Sequence, residues 1–359
     1  MELSLNDMVV FKHQKTLAPI NLEFSNKEIN VILGPSGSGK TQLLRTIAGL
    51  QQPYRGNILL DGINIKNTPV RKRSVAFVYQ EFINYSHLSA YDNIAVPLRQ
   101  KLKLPQEEIE SRVHEVADIL KISDYLEARP NEMSGGQQQR LAFARALAQK
   151  PKLLLLDDPF ANLDFQLKQH LRQFLRKSSR ECIVIYASSN AEDSLALSAR
   201  TTVIDQYQTV QQGHAREVTQ FPSHLSVAKF SSEPAFNILE GQKTGKFFVS
   251  IKGFKLDLGH KGDLIPEGPC YLGISPDRIH RAESLDSPSG KVEFVEPSGH
   301  LNQVTLSTEE NEVIVLRVSQ LEEIRVGSKL HYAIDLDSLF FYSANGQLIL
   351  APQENDSYG

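Results

Sequence analysis

The stretch Glu28-Ile-Asn-Val-Ile-Leu33 runs directly into Gly34-Pro35-Ser36-Gly37-Ser38-Gly39-Lys40-Thr41. Beyond it, Leu43, Leu44, Ile47 and Leu50 fall on one helical face. The octapeptide fits the phosphate-loop pattern G-x-x-x-x-G-K-[ST], and strand, glycine loop and helix form the context that pattern needs. Its glycines let the backbone turn tightly and approach a polyphosphate without a Cβ clash. Loop amides and the start of the following helix point at the anion. Lys40 is placed to reach the outer phosphates, and the Thr41 hydroxyl can ligate Mg²⁺. The predicted ligand is therefore a nucleoside triphosphate with its magnesium ion.

Working outward, the runs Ser74–Tyr79, Lys152–Asp157, Cys182–Ala187 and Thr202–Asp205 read as buried strands separated by helical patterns. They predict an α/β domain over residues 1–231 with a mostly parallel sheet. A helical insertion is expected near residues 90–150, where Ile109, Val113, Val116 and Leu120 repeat at helical spacing behind Pro105. After the stretch 232–237, read as a linker, short alternating runs separated by turn residues predict an all-β barrel or sandwich over 238–359. Examples are Phe247–Ile251, Lys291–Val295, Val313–Arg317 and Leu330–Ile334.

The chain has 359 residues, enough for two or three cored domains. At 41% hydrophobic and 23% charged it is an ordinary globular composition. A formal charge of −3 gives no reason to expect nucleic acid as a partner. Its two cysteines, Cys182 and Cys270, form no C-x-x-C pair, which argues against a disulfide scaffold or zinc site and suits a reducing compartment. The first residues lack the basic and apolar regions of a signal peptide. No apolar run approaches the roughly 20 residues of a membrane span, so contact with a membrane is expected through another protein.

Two further stretches complete the predicted nucleotide site. Leu153–Leu156 end at Asp157 and Asp158; a carboxylate at the end of an apolar strand beside a phosphate loop is well placed to hold the Mg²⁺ shell. Taken alone, the two acids also suit a helix start with Pro159 in its first turn. Ser134-Gly135-Gly136-Gln137 opens a strong helix, with Ser134 as its N-cap, and makes a second anion site. Two such helix starts call for two phosphates or for a partner that brings one.

With these motifs in this order, the first 230 or so residues resemble the ATP-binding cassette ATPases. Met133–Gln137 is similar to that family's signature motif, Gln80 to its Q-loop glutamine and Ala161-Asn-Leu-Asp164 to its D-loop. Phe11 stands where the family's adenine-stacking aromatic stands. The resemblance implies ATP and Mg²⁺ as cofactors, with Thr41, Gln80 and Asp157 around the metal. Phe11, the phosphate loop and Ser134–Gln137 would bind nucleotide, with Asp158, Gln80 and Ser189 at the reacting end. It also implies two subunits closing head to tail, each ATP held between one phosphate loop and the other's signature helix, and driving two membrane permease subunits fed by a periplasmic binding protein. The chain would then sit peripherally on the cytoplasmic face of the inner membrane.

The C-terminal stretches Gly273–Asp277, Gly290–Gly299 and Ile334–Tyr342 resemble the OB-like regulatory barrel of carbohydrate-importer ATPases, used for dimerisation or for sensing a ligand. Tyr79–Ile94 is most similar to glycerol-uptake members. Two positions depart from the family, and both concern hydrolysis. Asp158 stands where a glutamate polarises the attacking water, and Ser189 where a switch histidine stands. The shorter carboxylate is expected to fall short by more than about 1 Å, and a misplacement of that size can cost about a hundredfold in rate. Serine neither reaches as far as imidazole nor carries its charge, although water can fill such a gap. The expectation is an asymmetric pair, in which this chain binds ATP to hold the dimer shut and lends its signature helix to a different, intact ATPase. The competing readings are a homodimeric ATPase of another carbohydrate importer, a cassette protein acting on DNA or ribosomes, and a nucleotide-sensing regulator without a permease.

Overall fold

A computed structural model describes residues 1–10, 19–81, 83–160, 163, 165–232, 234–284, 287–299 and 301–352. The chain forms two compact units, Met1–Arg216 and Glu217–Gly359.

In the first unit the strands are β1 (Glu2–Val9), β2 (Ile20–Ser25), β3 (Asn30–Leu33), β4 (Arg55–Leu60), β5 (Ile63–Asn64), β6 (Val75–Val78), β7 (Leu153–Asp157), β8 (Ile183–Ser188), β9 (Arg200–Asp205) and β10 (Gln208–His214). The helices are α1 (Lys40–Ala48), α2 (Ala90–Pro97), α3 (Gln106–Ile119), α4 (Gly135–Leu147), α5 (Phe165–Ser178), α6 (Ala191–Leu197) and α7 (Ala215–Gln220), the last containing the division between units. Six strands form one sheet in the order β10-β9-β3-β8-β7-β6. Its four pairings from β9 to β6 are parallel in the register Arg200↔Asn30↔Ile185 and Ile183↔Leu153↔Val75, while β10 turns back antiparallel on β9. All six residues of β8 are buried, as a strand covered on both faces requires. Parallel pairing brings the carboxyl ends of β3, β6, β7 and β8 to one edge, the place where open α/β sheets bind ligands.

A second sheet, β2-β1-β4-β5, is antiparallel. The sequence pattern of alternating strands and helices did not announce it. It forms because Leu3, Leu5, Leu22, Phe24 and Ile58 turn one apolar face onto Leu43, Leu44 and Ile47 of α1 and onto Ile183 and Ile185 of β8, making one core. Helix α1 stops earlier than its apolar stripe suggested: Gly49 takes φ 83° at the C-cap, and Leu50 beyond it is 47% exposed. Helices α2, α3 and α4 make the inserted helical segment. The predicted stripe on α3 is buried at Ile109, Val113 and Val116, with Leu120 buried just past its end.

The second unit holds β11 (Asn237–Thr244), β12 (Phe247–Ser250), β13 (Lys255–Asp257), β14 (Gly268–Ile274), β15 (Ile279–Arg281), β16 (Ser289–Ser298), β17 (Leu301–Thr308), β18 (Val313–Ser319), β19 (Lys329–Ile334), β20 (Phe340–Ser343) and β21 (Leu348–Leu350). They form a sheet β13-β12-β11-β14-β20-β21 and a sheet β15-β19-β16-β17-β18. Their inner residues, among them Phe248, Leu272, Val304, Leu316 and Phe341, make one core. This unit begins before the linker stretch 232–237. Leu225 and Ala228 pack with Phe236, Phe340 and Tyr342, and the Tyr342 hydroxyl donates to the Pro222 carbonyl at 3.0 Å. Residues 217–231 are thereby drawn into the β unit.

Candidate functional site

The phosphate loop joins β3 to α1. Gly34 is buried with its N–H on the Ser188 carbonyl, and a Cβ there would lie 2.1 Å from the Ile204 carbonyl oxygen. Gly37 and Gly39 take φ 81° and 108°. Only glycine suits this cradle, because two of its positions are left-handed and the third touches backbone. Pro35, Ser36, Ser38 and Gly39 complete the turn, with the Ser38 N–H donating to the Pro35 carbonyl at 3.2 Å. Lys40 donates to the Gly34 and Pro35 carbonyls at 2.7 and 2.9 Å, folding its ammonium over the loop. Burial pulls its pKa below the usual lysine value, opposed by Asp158 and then Asp157.

Asp157, at the end of β7 and 4% exposed, accepts from the Thr41 hydroxyl at 3.0 Å. Burial holds its carboxyl above the ordinary value of 3.8, the Thr41 bond opposing. A buried carboxylate and a hydroxyl, both oxygen donors at the mouth of a phosphate cradle, fit Mg²⁺, which takes few protein oxygens and completes its shell with phosphate and water. No cluster of three or more His, Cys, Asp or Glu suited to a metal occurs among the described residues.

Asp158 lies just beyond the strand in a left-handed conformation, φ 45°, with its N–H on the Ala187 carbonyl at 2.9 Å. Its carboxylate accepts from the Ser189 hydroxyl at 3.4 Å, a long bond. Burial first and the Asp193 carboxylate second hold its pKa above 3.8. The structure thus brings together Lys40, Thr41, Asp157, Asp158 and Ser189, residues the sequence had placed far apart. Gln80 is exposed two residues past β6, at the same sheet edge. Phe11, Ala161, Asn162 and Asp164 lie outside the described residues.

Helix α4 opens as expected. The Ser134 hydroxyl accepts from the Gln137 N–H at 3.3 Å, and the Gln137 side chain accepts from the Ser134 N–H at 2.8 Å, closing a capping box ahead of exposed Gly135 and half-buried Gly136. Gln139 donates to the Pro159 carbonyl at 2.7 Å, tying this helix to the turn that follows Asp158.

Three features were not read from the sequence. Tyr207 sits at φ 64° in the turn between β9 and β10, its N–H on the Ser38 carbonyl at 2.9 Å. Its ring lies 2.4 Å from where a Gly39 Cβ would be, so the ring rests on the phosphate loop. A tyrosine is costly at positive φ; a strand-to-strand turn written Gln206-Tyr207, without Gly or Asn, was the available signal. Behind Ser189, the buried Asp193 accepts from the Tyr186 hydroxyl at 2.8 Å and the Ser188 hydroxyl at 3.0 Å, and pairs with Arg172 at 3.2 Å. Finally, the segment after Gln80 is pinned rather than loose. Asn93 accepts from the Tyr85 N–H at 2.8 Å and donates to the Tyr85, Leu88 and Ser89 carbonyls, while Arg145 donates to the Ile83 carbonyl and covers the Tyr85 ring.

Comparison with known proteins agrees with this geometry. A family model described as "ABC transporter" matches residues 17–161. The alpha-glucoside transport ATP-binding protein AglK of Rhizobium meliloti is 32% identical over 91% of this chain and 93% of its own length. This chain belongs to the ABC transporter family. Another relative, the sn-glycerol-3-phosphate import ATP-binding protein UgpC of Psychromonas ingrahamii, is 33% identical over 91% of this chain and 89% of its own. The oligosaccharides import ATP-binding protein MsmX of Bacillus subtilis is 30% identical over 97% of this chain and 99% of its own. Among solved structures, dimeric MJ0796, a bacterial ABC transporter cassette, superposes with a TM-score of 0.54 at 27% identity, covering 60% of this chain and 99% of its own. The first unit is accordingly an ABC ATPase fold with its helical subdomain, followed by a sheet-rich C-terminal region. Among the described residues no helix is long and apolar enough to cross a membrane.

Proposed function

We propose that this chain is the ATP-binding, energy-coupling subunit of an importer for a sugar, glycerol or a related polyol, held peripherally on the cytoplasmic face of the membrane by two permease subunits. The names of AglK, UgpC and MsmX, which span nearly the whole chain, support the importer class. Glycerol rests on the likeness of residues 79–94. The OB-like reading of the C-terminal strands, as a dimerisation or sensing module, belongs to the same proposal.

We further propose that this chain grips ATP well and cuts it slowly, pairing with a second, catalytically intact ATPase. The observation that carries this is the Asp158–Ser189 pair. A carboxylate one methylene shorter than glutamate faces, at 3.4 Å, a hydroxyl that bears no charge. Meanwhile the gripping residues Lys40, Thr41 and Asp157 are held by bonds of 2.7–3.0 Å. Bound magnesium would supply charge neutralisation on the phosphates, with Thr41, Asp157 and Gln80 as its protein-side oxygens. Phe11 would stack on adenine, and Ser134–Gln137 would cap the partner's nucleotide. A homodimer is the competing assembly, favoured by the dimeric cassette of MJ0796.

The test is to purify the chain alone and together with the ATPase encoded beside it, then measure Mg·ATP affinity and turnover. The proposal expects tight binding with slow turnover alone, and faster turnover in the mixture. Brisk hydrolysis by the chain alone, abolished by Lys40→Ala, sinks the asymmetric reading.

A further inference from the structure

The nucleotide cradle uses the carboxyl ends of the sheet strands. At the opposite, N-terminal ends of β6 and β7 there is a pocket of about 210 Å³. Its lining includes Arg71, Lys72, Arg73 and Lys101 together with Ser74 and Gln149, and no carboxylate. β6 is four residues long, which puts the pocket roughly 13 Å or more from the nucleotide edge. The two are distinct sites.

The geometry points to a second anion-binding site in this pocket, made for a phosphate-bearing ligand. Three segments distant in sequence converge on it: the turn Val70–Lys72 before β6, the residues just past α2, and the loop from α4 into β7. Arg73 is built in. Its guanidinium, 3% exposed, donates to the Thr68, Ile47 and Lys66 carbonyls at 2.8, 2.8 and 2.7 Å. Carbonyls satisfy its donors and fix its place, but they do not cancel its charge. Lys101 is exposed like its neighbours at the rim, donates to the Val75 carbonyl at 3.3 Å, and has its pKa lowered by partial burial. Arg71 and Lys72 are exposed at the rim. Among the described residues none of these four cations has an ion pair. The adjoining Lys150 is paired with Glu115 at 3.8 Å.

Four positive side chains line so small a volume in a chain whose formal charge is −3, three of them exposed around the buried Arg73, and an anion seated between them would gain from all four. A phosphate offers several acceptors and up to two charges, matching an Arg fork and two point-like ammonium groups. The Ser74 hydroxyl and the Gln149 amide add neutral polar groups to the lining. The volume suits a phosphoryl group with a small body rather than a drug-sized ligand, which needs about 300 Å³ or more. Two sources carry that chemistry: the headgroup of an anionic lipid, and a phosphorylated solute.

The experiment uses the full chain with its phosphate loop saturated by Mg²⁺ and a non-hydrolysable ATP analogue. Inorganic phosphate is titrated in by calorimetry, and flotation is measured with phosphatidylcholine vesicles with and without phosphatidylglycerol. The variant Arg71→Gln/Lys72→Gln/Lys101→Gln spares Arg73, which holds the local fold. Its binding is expected to weaken about tenfold or more, while affinity for the ATP analogue is unchanged. Binding of dissolved phosphate, lost in the variant, identifies a solute site. Flotation only with phosphatidylglycerol, lost in the variant, identifies a headgroup site. Should the triple variant melt early, Lys72→Glu alone, on the exposed turn, serves instead. If neither probe binds, or if neutralising these residues leaves binding intact, the basic pocket is only a solvated face and the inference falls.

Discussion

Asp157 and Asp158 are neighbours in sequence and opposites in setting. Asp157 ends a fully buried strand in extended conformation and takes a 3.0 Å bond from Thr41. Asp158 has left the strand, sits at φ 45° and takes a 3.4 Å bond from Ser189. One peptide step separates a carboxylate fixed by the sheet from one set by a turn. The gripping half of the site is thus anchored on the buried end of β7 and the start of α1. The proposed reacting half hangs on turns, where a change of side-chain length is tolerated structurally and, on the proposal above, would be felt in hydrolysis.

The largest expected effect tests the gripping half. Lys40→Ala removes the charge-assisted contacts to the phosphates and should weaken Mg·ATP affinity by about a hundredfold, measured with a fluorescent ATP analogue, while the melting temperature barely moves. Retained tight binding would break the contrast at its stronger end. On the reacting half, Asp158→Glu with Ser189→His should raise turnover of the isolated chain by about a hundredfold with little change in affinity. No gain in steady-state hydrolysis would mean that side-chain reach is not what limits this site.

The support behind Ser189 is a third way to sharpen the comparison. Asp193→Ala strands Arg172, Tyr186 and Ser188 in the interior and should cost about 3 kcal/mol, whereas Tyr186→Phe should cost about 1 kcal/mol, both read by urea unfolding. Equal costs would show that Asp193 does not organise this cluster. At the phosphate loop, Tyr207→Gly relieves a left-handed tyrosine and should leave stability unchanged or higher, yet weaken nucleotide binding severalfold, with Tyr207→Phe near wild type. A purely structural Tyr207 would leave affinity untouched.

The smallest effect is a matter of sign. Burial raises the Asp157 carboxyl above 3.8 in the folded protein. Such a group favours folding fully below its unfolded pKa, and that contribution is lost as pH rises through the folded value. At neutral pH, ionised Asp157 therefore costs stability when no cation is bound. Asp157→Asn should raise the nucleotide-free melting temperature by about 2–4 °C at pH 7 and flatten its pH dependence below neutrality. The same variant should lose most of the stabilisation that Mg·ATP gives wild type. A lower melting temperature for the variant at pH 7 would show that the Thr41 bond outweighs burial.

Much of this was open in the amino-acid order. The phosphate loop, the capping box at Ser134 and the strand ending at Asp157 are local patterns, each with its reason within a dozen residues. The strand runs 74–79, 152–157 and 182–187 contain the observed β6, β7 and most of β8, because strands buried on both faces must be apolar throughout. The antiparallel sheet of β1, β2, β4 and β5 was missed, because its apolar face is completed by α1 and β8, which lie elsewhere in the chain. Residues 217–231 read as part of the first domain for the same reason; their partners Phe340 and Tyr342 come more than a hundred residues later.

By itself, then, the sequence determined which groups this protein offers for gripping a triphosphate, and that Asp158 and Ser189 stand at the two positions on which the proposal of slow hydrolysis rests. Local chemistry decides those points, since a glycine turn or a missing imidazole is the same in any fold. Only the tertiary structure decided that Ser189 meets Asp158, that Tyr207 braces Gly39 and that Arg71, Lys72, Arg73 and Lys101 share a pocket. Those meetings depend on parallel strand register and on turns between distant strands, and no local pattern encodes them.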